Sequence, residues 1–221
     1  FAKRLTKDDV VLIAGDFGWC WNPTRSGGEA GEERKALDHM EKQPYTVAFI
    51  DGNHENFDRL YKYPEGTAFG GPVGVLRPHV LHLKKRGHIY DLCGHKVWCF
   101  GGAKSFDIEN RIPGKSWWPQ EEPTAEEYEH GREQLEAAGW RVDLVVTHEA
   151  PSLLAKTLLC KQKLEKSSLP AYLQRTADKL CFRKWYFGHY HKDAEFEAYG
   201  SSFGVCEYEY FSCVFDRVLP A

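Results

Sequence analysis

His189 and His191 stand one residue apart in Gly188-His189-Tyr190-His191, directly after a short apolar run. Two imidazoles at that spacing can address one point only if the backbone turns there, and Gly188 permits the turn. The pair gains meaning from three other places where an apolar run ends in residues able to hold a metal ion: Gly15-Asp16, Gly52-Asn53-His54-Glu55 and Thr147-His148. Asp16, Asn53, His148, His189 and His191 together offer a carboxylate, an amide oxygen and three imidazoles. That mixed set suits Mn²⁺, Fe or Zn²⁺ better than Ca²⁺ or a thiolate-bound structural zinc. Asp16 is the natural bridge between two ions, because each of its oxygens can take one. Asn53 adds an oxygen without adding a negative charge that would repel a phosphate.

Two divalent ions about 3.5–4 Å apart can hold a hydroxide between them and neutralise a phosphoryl group during in-line displacement. Coordination lowers the pKa of bound water from about 15.7 towards roughly 7, so a nucleophile exists without a dedicated base. The departing alkoxide still needs a proton. His54 adjoins Asn53 without having to be a ligand, and Glu55 or Asp51 could orient it, so it takes the general-acid role.

Residues this far apart in the chain meet only if regular elements deliver them to one end of a sheet. Val10 to Ala14 is a continuous apolar run, the pattern of a strand buried on both faces, and it ends at Gly15-Asp16. Asn22 to Gly28 is rich in turn residues, and Glu29 to Lys42 reads as an amphipathic helix. Tyr45 to Ile50 is a second buried strand, so the order is strand, helix, strand, the unit of a parallel sheet with ligand loops at its carboxyl edge. Glycines and prolines from Pro64 to Pro78 predict a loop. Val80–Leu83, His88–Leu92 and Lys96–Phe100 then predict an antiparallel meander. Thr124-Ala125-Glu126-Glu127 has the form of a capping box, for a helix that Gly139 stops. Val142 to Thr147 delivers His148. A helix from Pro170 to about Cys181 and a strand from Arg183 to Phe187 lead to His189, and a closing hairpin is expected over Gly204 to Val214.

With 221 residues, 42% hydrophobic and 28% charged, the chain suits a single domain over 1–221. A net charge of −3 gives no basic field for nucleic acid or for an anionic membrane. No apolar run approaches the ~20 residues of a membrane span. The seven cysteines follow neither a zinc nor a disulfide spacing; reduced thiols and a cytoplasmic setting are expected. Trp98 and Trp185 suit the core, while Trp19, Trp21, Trp117 and Trp118 fall in loops that could wall a pocket. Lys104 and Arg111 are candidates to steer a phosphate, and Gly101-Gly102 could let backbone approach one.

The motifs resemble those of the calcineurin-like metallophosphoesterases: Asp-x-His, Gly-Asp, Gly-Asn-His-Glu, a His after a strand, and Gly-His-x-His. Gly15-Asp16, Gly52-Asn53-His54-Glu55, Thr147-His148 and Gly188-His189-Tyr190-His191 match the last four in order, across nearly the whole chain. The resemblance implies a four-layer α/β/β/α sandwich, two mixed sheets flanked by helices. It implies two divalent metals, with Asp16 as the bridging ligand, Asn53, His148 and His189 on the second metal, His191 on the first, and His54 as the acid. Two departures stand out. Trp19 occupies a position where a further aspartate is common, and nothing before Val10 offers Asp-x-His. Phe1 to Leu5 reads as the last turn of a helix that follows that motif. The expectation is a fragment lacking the first strand, with the first metal site reduced to Asp16 and His191 and little activity. The function implied is metal-dependent hydrolysis of a phosphomonoester or phosphodiester, such as a phosphorylated small molecule. The alternatives are a protein serine/threonine phosphatase, which usually carries Arg where Asp51 stands, and a scaffold that keeps the fold without catalysis.

Overall fold

The computed structural model describes residues 5–21, 29–159, 167–191, 194–198 and 201–205. The first half of the chain forms β1 (Val10–Ala14), α1 (Gly31–Glu41), β2 (Thr46–Ile50), α2 (Phe57–Leu60), β3 (Glu65–Ala68), β4 (Gly71–Arg77) and β5 (Val80–His82). Its five strands make one sheet in the order β1-β2-β5-β4-β3, with β1, β2 and β5 parallel and the β3–β4 hairpin antiparallel. The second half forms β6 (His88–Leu92), β7 (His95–Phe100), α3 (Ala125–Ala137), β8 (Leu144–Thr147), α4 (Ser152–Leu159), α5 (Leu169–Ala177), β9 (Lys184–Phe187), β10 (Ala194–Ala198) and β11 (Ser201–Val205). These strands make a second mixed sheet, ordered β10-β11-β9-β8-β7-β6, whose β7, β8 and β9 are parallel.

The apolar runs alternate between two cores, which is why they carry no polar face. Val10, Leu12, Ala14, Ala48 and Ile50 from the first sheet meet Val97, Cys99, Leu144 and Val146 from the second. The outward residues Ile13, Val47 and Phe49 pack with Leu37 of α1, and Trp98, Val145, Trp185 and Phe187 pack with Leu135 of α3 and Leu173 of α5. The result is helix, sheet, sheet, helix, the four-layer sandwich that the resemblance implies. No described helix is long and apolar enough to cross a membrane.

Several local expectations hold. Thr124 Oγ1 accepts from Glu127 N–H at 3.2 Å and Glu127 Oε2 accepts from Thr124 N–H at 2.8 Å, closing the capping box. Gly139 takes the left-handed conformation at φ 62°. Trp98 and Trp185 are fully buried.

Others are corrected. The region from Pro64 to Pro78 holds β3 and β4, joined through Phe69 (φ 55°) and Gly70 (φ 76°). Two positive φ values make the turn type that matches strand twist, and Phe in place of the usual Asn concealed it. The meander is divided: β5 lies in the first sheet beside β2, whereas β6 and β7 form a hairpin at the edge of the second. The helices α2 and α4 lie where no helix is expected, and α5 ends at Ala177 rather than near Cys181. A hairpin that was not expected pairs Ala194–Ala198 with Ser201–Val205, and the closing hairpin expected over Gly204 to Val214 falls almost wholly outside the described residues. The 22–28 turn segment and residues 206–214 lie outside the described residues. Of the described cysteines, all free, Cys20 and Cys99 are buried, but Cys93 and Cys181 are exposed.

Candidate metal centre

Parallel pairing brings the strand ends level. Ala14 lies opposite Ile50, and Phe100, Thr147 and Phe187 lie opposite one another across β7, β8 and β9. The loops that begin at Gly15, Asp51, Gly101, His148 and Gly188 therefore open at one end of the sandwich, as ligand loops of parallel sheets do. The sheets touch there: His148 Nδ1 donates to Ala14 O at 2.7 Å.

Asp16, Asn53, His148, His189 and His54 converge on this edge. Asp16 Oδ1 accepts from His54 N–H at 2.8 Å and lies 3.4 Å from His148 Nε2. Asn53 Oδ1 is 3.1 Å from the same Nε2. The His189 ring stands edge-on to that of His148, with centroids 5.1 Å apart. His191, two residues on, is exposed. Asp16, His189 and His191 hold positive φ values of 52°, 69° and 50°, a backbone region uncommon for residues other than glycine.

The donor set has a specific need. A carbonyl oxygen only accepts, so His148 carries a hydrogen on Nδ1, and in the neutral ring Nε2 bears a lone pair. That lone pair would face two further acceptors, Asp16 Oδ1 and Asn53 Oδ1. Three acceptors at one point require a cation between them. A proton answers the need when no metal does: burial alone would push the His148 imidazolium down, but the Asp16 carboxylate and the Ala14 carbonyl bring it up to about 9. Burial works against the Asp16 carboxylate as well, yet His148 and His54 hold it well below the usual carboxylate range. His189 is pushed down to about 3, by burial and then by His148, so its ring stays neutral. Asp16 Oδ2 and His189 Nε2 are buried and find no hydrogen-bond partner among the described residues. The residues present thus fit a divalent ion. Among the described residues no group of three or more His, Cys, Asp or Glu side chains is gathered to hold a metal ion.

The comparison with protein families agrees with this geometry. Residues 1–193 match the model of the calcineurin-like phosphoesterases. The chain belongs to that family. Its members are metal-dependent phosphoester hydrolases. No curated protein matches the chain.

In this calcineurin-like phosphoesterase, neither carboxylate expected to orient His54 does so. Glu55 Oε1 accepts from Phe17 N–H at 2.8 Å and Gly52 N–H at 3.4 Å, clamping the two ligand loops together. Burial, then Asp16 and Asp51, pushes the Glu55 carboxyl up to about 8. Asp51 turns away to Arg86, and to His82 at 3.3 Å. His54 Nδ1 instead meets Arg111 Nη1 at 3.0 Å. Lys104 pairs with Glu122 at 3.7 Å. Gly101 is required by close approach, since a Cβ there would lie 2.7 Å from the Asp51 carboxyl. Trp118 is buried and donates to Asp58 at 2.8 Å, with Trp21 set edge-on to it, and Trp19 packs on the α1 core.

Three contributors carry no signal in sequence. Asn53 Nδ2 donates to Ser105 Oγ at 3.0 Å, and the Ser105 hydroxyl donates to Glu121 Oε2 at 2.7 Å. With its proton committed to Glu121, Ser105 can only accept from Asn53, which keeps the amide nitrogen on that side and Oδ1 on the His148 side. Glu149 Oε2 lies 3.9 Å from His189 Nε2, while its Oε1 accepts from Tyr190 OH.

Proposed function

We propose that this protein hydrolyses a phosphomonoester or phosphodiester, with Asp16, Asn53, His148 and His189 holding one divalent ion, and Asp16 with His191 contributing to a second. The observation that carries the reading is the facing of Asp16 Oδ1 and Asn53 Oδ1 on His148 Nε2, at 3.4 and 3.1 Å. Bound divalent ions, of which Mn²⁺, Fe and Zn²⁺ suit these donors, would supply a water activated at neutral pH and charge to balance phosphoryl oxygens. The chain's own residues do the rest. The loops orient the donors, Glu55 and Ser105 hold them, and His54 serves as general acid towards the leaving oxygen. The substrate is a phosphorylated small molecule or another phosphoester, and the free thiols of Cys20 and Cys99 suit a cytoplasmic setting.

Arg86 bears on the protein-phosphatase alternative. The residue before Gly52-Asn53-His54-Glu55 is Asp51, neutralised by a buried arginine, so no phosphate clamp arises at that position. Hydrolysis of 4-nitrophenyl phosphate and of bis(4-nitrophenyl) phosphate with added Mn²⁺ tests the reading and separates monoesterase from diesterase. Wild type is expected to turn over one of them, and His54→Ala to lower kcat about 100-fold or more. Mn²⁺ binding without turnover of any phosphoester would favour the non-catalytic scaffold.

A further inference from the structure

Arg111 occupies an unusual place for a cation. It belongs to the segment that follows β7, and its guanidinium is held on two sides: Nε donates to Asp107 Oδ1 at 2.6 Å and Nη1 donates to Ser116 O at 3.1 Å. Ser116 is itself anchored, its Oγ accepting from Ile112 N–H at 2.9 Å. The same Nη1 reaches His54 Nδ1 at 3.0 Å. Five residues earlier, the Phe106 ring stacks on that of His189 with centroids 5.3 Å apart. The stretch from Phe106 to Arg111 therefore spans the site, one end on a ligand ring and the other on His54.

A guanidinium has hydrogens to donate and no lone pair to accept with. At 3.0 Å the His54 Nδ1 must be the acceptor, so the neutral ring carries its hydrogen on Nε2, on the side away from Arg111. We infer that Arg111 is a positioning residue for His54: it fixes the ring and selects the Nε2–H tautomer that faces the reaction. The inference rests on the proposed hydrolysis and changes the role of His54 there from general acid to hydrogen-bond donor. As water oxygen bonds to phosphorus, the bond from phosphorus to the leaving oxygen breaks and its electron pair stays on that oxygen. The His54 Nε2–H meets the developing charge through a hydrogen bond. The proton that finally makes the alcohol is the one lost by the attacking water. A neutral imidazole acting as an electrophile is an established use of histidine.

The test uses leaving groups of different basicity. Phenyl phosphate builds more charge on its leaving oxygen than 4-nitrophenyl phosphate, so it depends more on the donor. Arg111→Ala should lower kcat about 10- to 100-fold on phenyl phosphate and several-fold less on the nitrophenyl ester. Added to His54→Ala, the Arg111→Ala change should cause no further loss, and Arg111→Lys alone should restore part of the rate. Mn²⁺ affinity, measured by calorimetry, should be unchanged in Arg111→Ala, which excludes collapse of the site. Equal losses on both esters, or losses that multiply in the double variant, would overturn the inference. Imidazole ¹⁵N spectra of the protein without added metal, at a pH where histidine is neutral, supply a readout independent of activity. His54 should show Nε2–H in wild type and mixed tautomers in Arg111→Ala; Nδ1–H in wild type would also overturn it. If wild type hydrolyses neither ester, the functional reading fails while the spectra still decide the tautomer.

Discussion

Asp16 keeps a carboxylate inside the protein at 2% exposure with one oxygen unbonded among the described residues. Burying a charge in this way opposes folding unless a cation compensates; without metal the protonated His148 does so, and a divalent ion would take its place. Asp16→Asn keeps an oxygen to accept from His54 N–H and removes the charge. Without metal the neutral side chain leaves the His148 imidazolium without its partner, so the Tm should fall, while Mn²⁺ affinity measured by calorimetry should fall about 100-fold or more. Undiminished Mn²⁺ affinity would remove Asp16 from the ligand set. The support beneath Asn53 makes a second prediction. Ser105→Ala frees the amide to rotate, so Mn²⁺ affinity should weaken about 10- to 100-fold with the fold intact, as is usual when a ligand loses its orienting partner.

The elements act through the level ends of their strands. Gly188 closes β9 against β1: a Cβ there would lie 2.8 Å from Ala14 O and 3.2 Å from His148 Nδ1. Backbone cannot retreat cheaply in a close-packed interior, so Gly188→Ala should cost about 1–3 kcal/mol in urea unfolding and displace His189 from its neighbours. Retained stability together with undiminished metal affinity would show that the contact between the sheets yields more easily than the geometry implies. The turn at Phe69-Gly70 teaches a related lesson. A hairpin whose first turn residue is Phe at φ 55° is invisible to a search for Asn-Gly, because the strand pairing of Glu65–Ala68 with Gly71–Arg77 holds the turn in place.

Across the molecule, the Asp51–Arg86 pair joins the parts. Asp51 follows β2, His82 lies in β5, and Arg86, in the crossing between the two sheets, also donates to Gln120 O at 2.8 Å and to Glu127 of α3 at 3.3 Å. Removing one member of a buried pair strands the other charge, so Arg86→Met should cost about 3–5 kcal/mol in denaturant unfolding. Burial would raise the Asp51 carboxyl, but Arg86 and His82 bring it down to about 2, below its ordinary 3.8. A depressed carboxylate stabilises the fold fully above its unfolded value and loses that contribution as pH falls through the folded one. The pair should therefore hold above about pH 4 and fail towards pH 2. In Arg86→Met the acid-unfolding midpoint should move to higher pH.

The candidate site of this protein is legible in its sequence because local patterns write it down: an apolar run announces a strand, and the residue after the run announces what the strand delivers. That much determined the parallel units, the capping box at Thr124, the two-sheet class through the family resemblance, and Asp16, Asn53, His54, His148, His189 and His191 as candidates. Only the tertiary structure decided which sheet β5 joins, that Glu55 clamps loops instead of orienting His54, and that Ser105, Glu121 and Arg111 support the site. These residues lie 52 and 57 positions from the groups they touch, in the case of Ser105 to Asn53 and Arg111 to His54. Their contacts exist because two sheets pack face to face, and packing of that kind has no period along the chain from which it can be read.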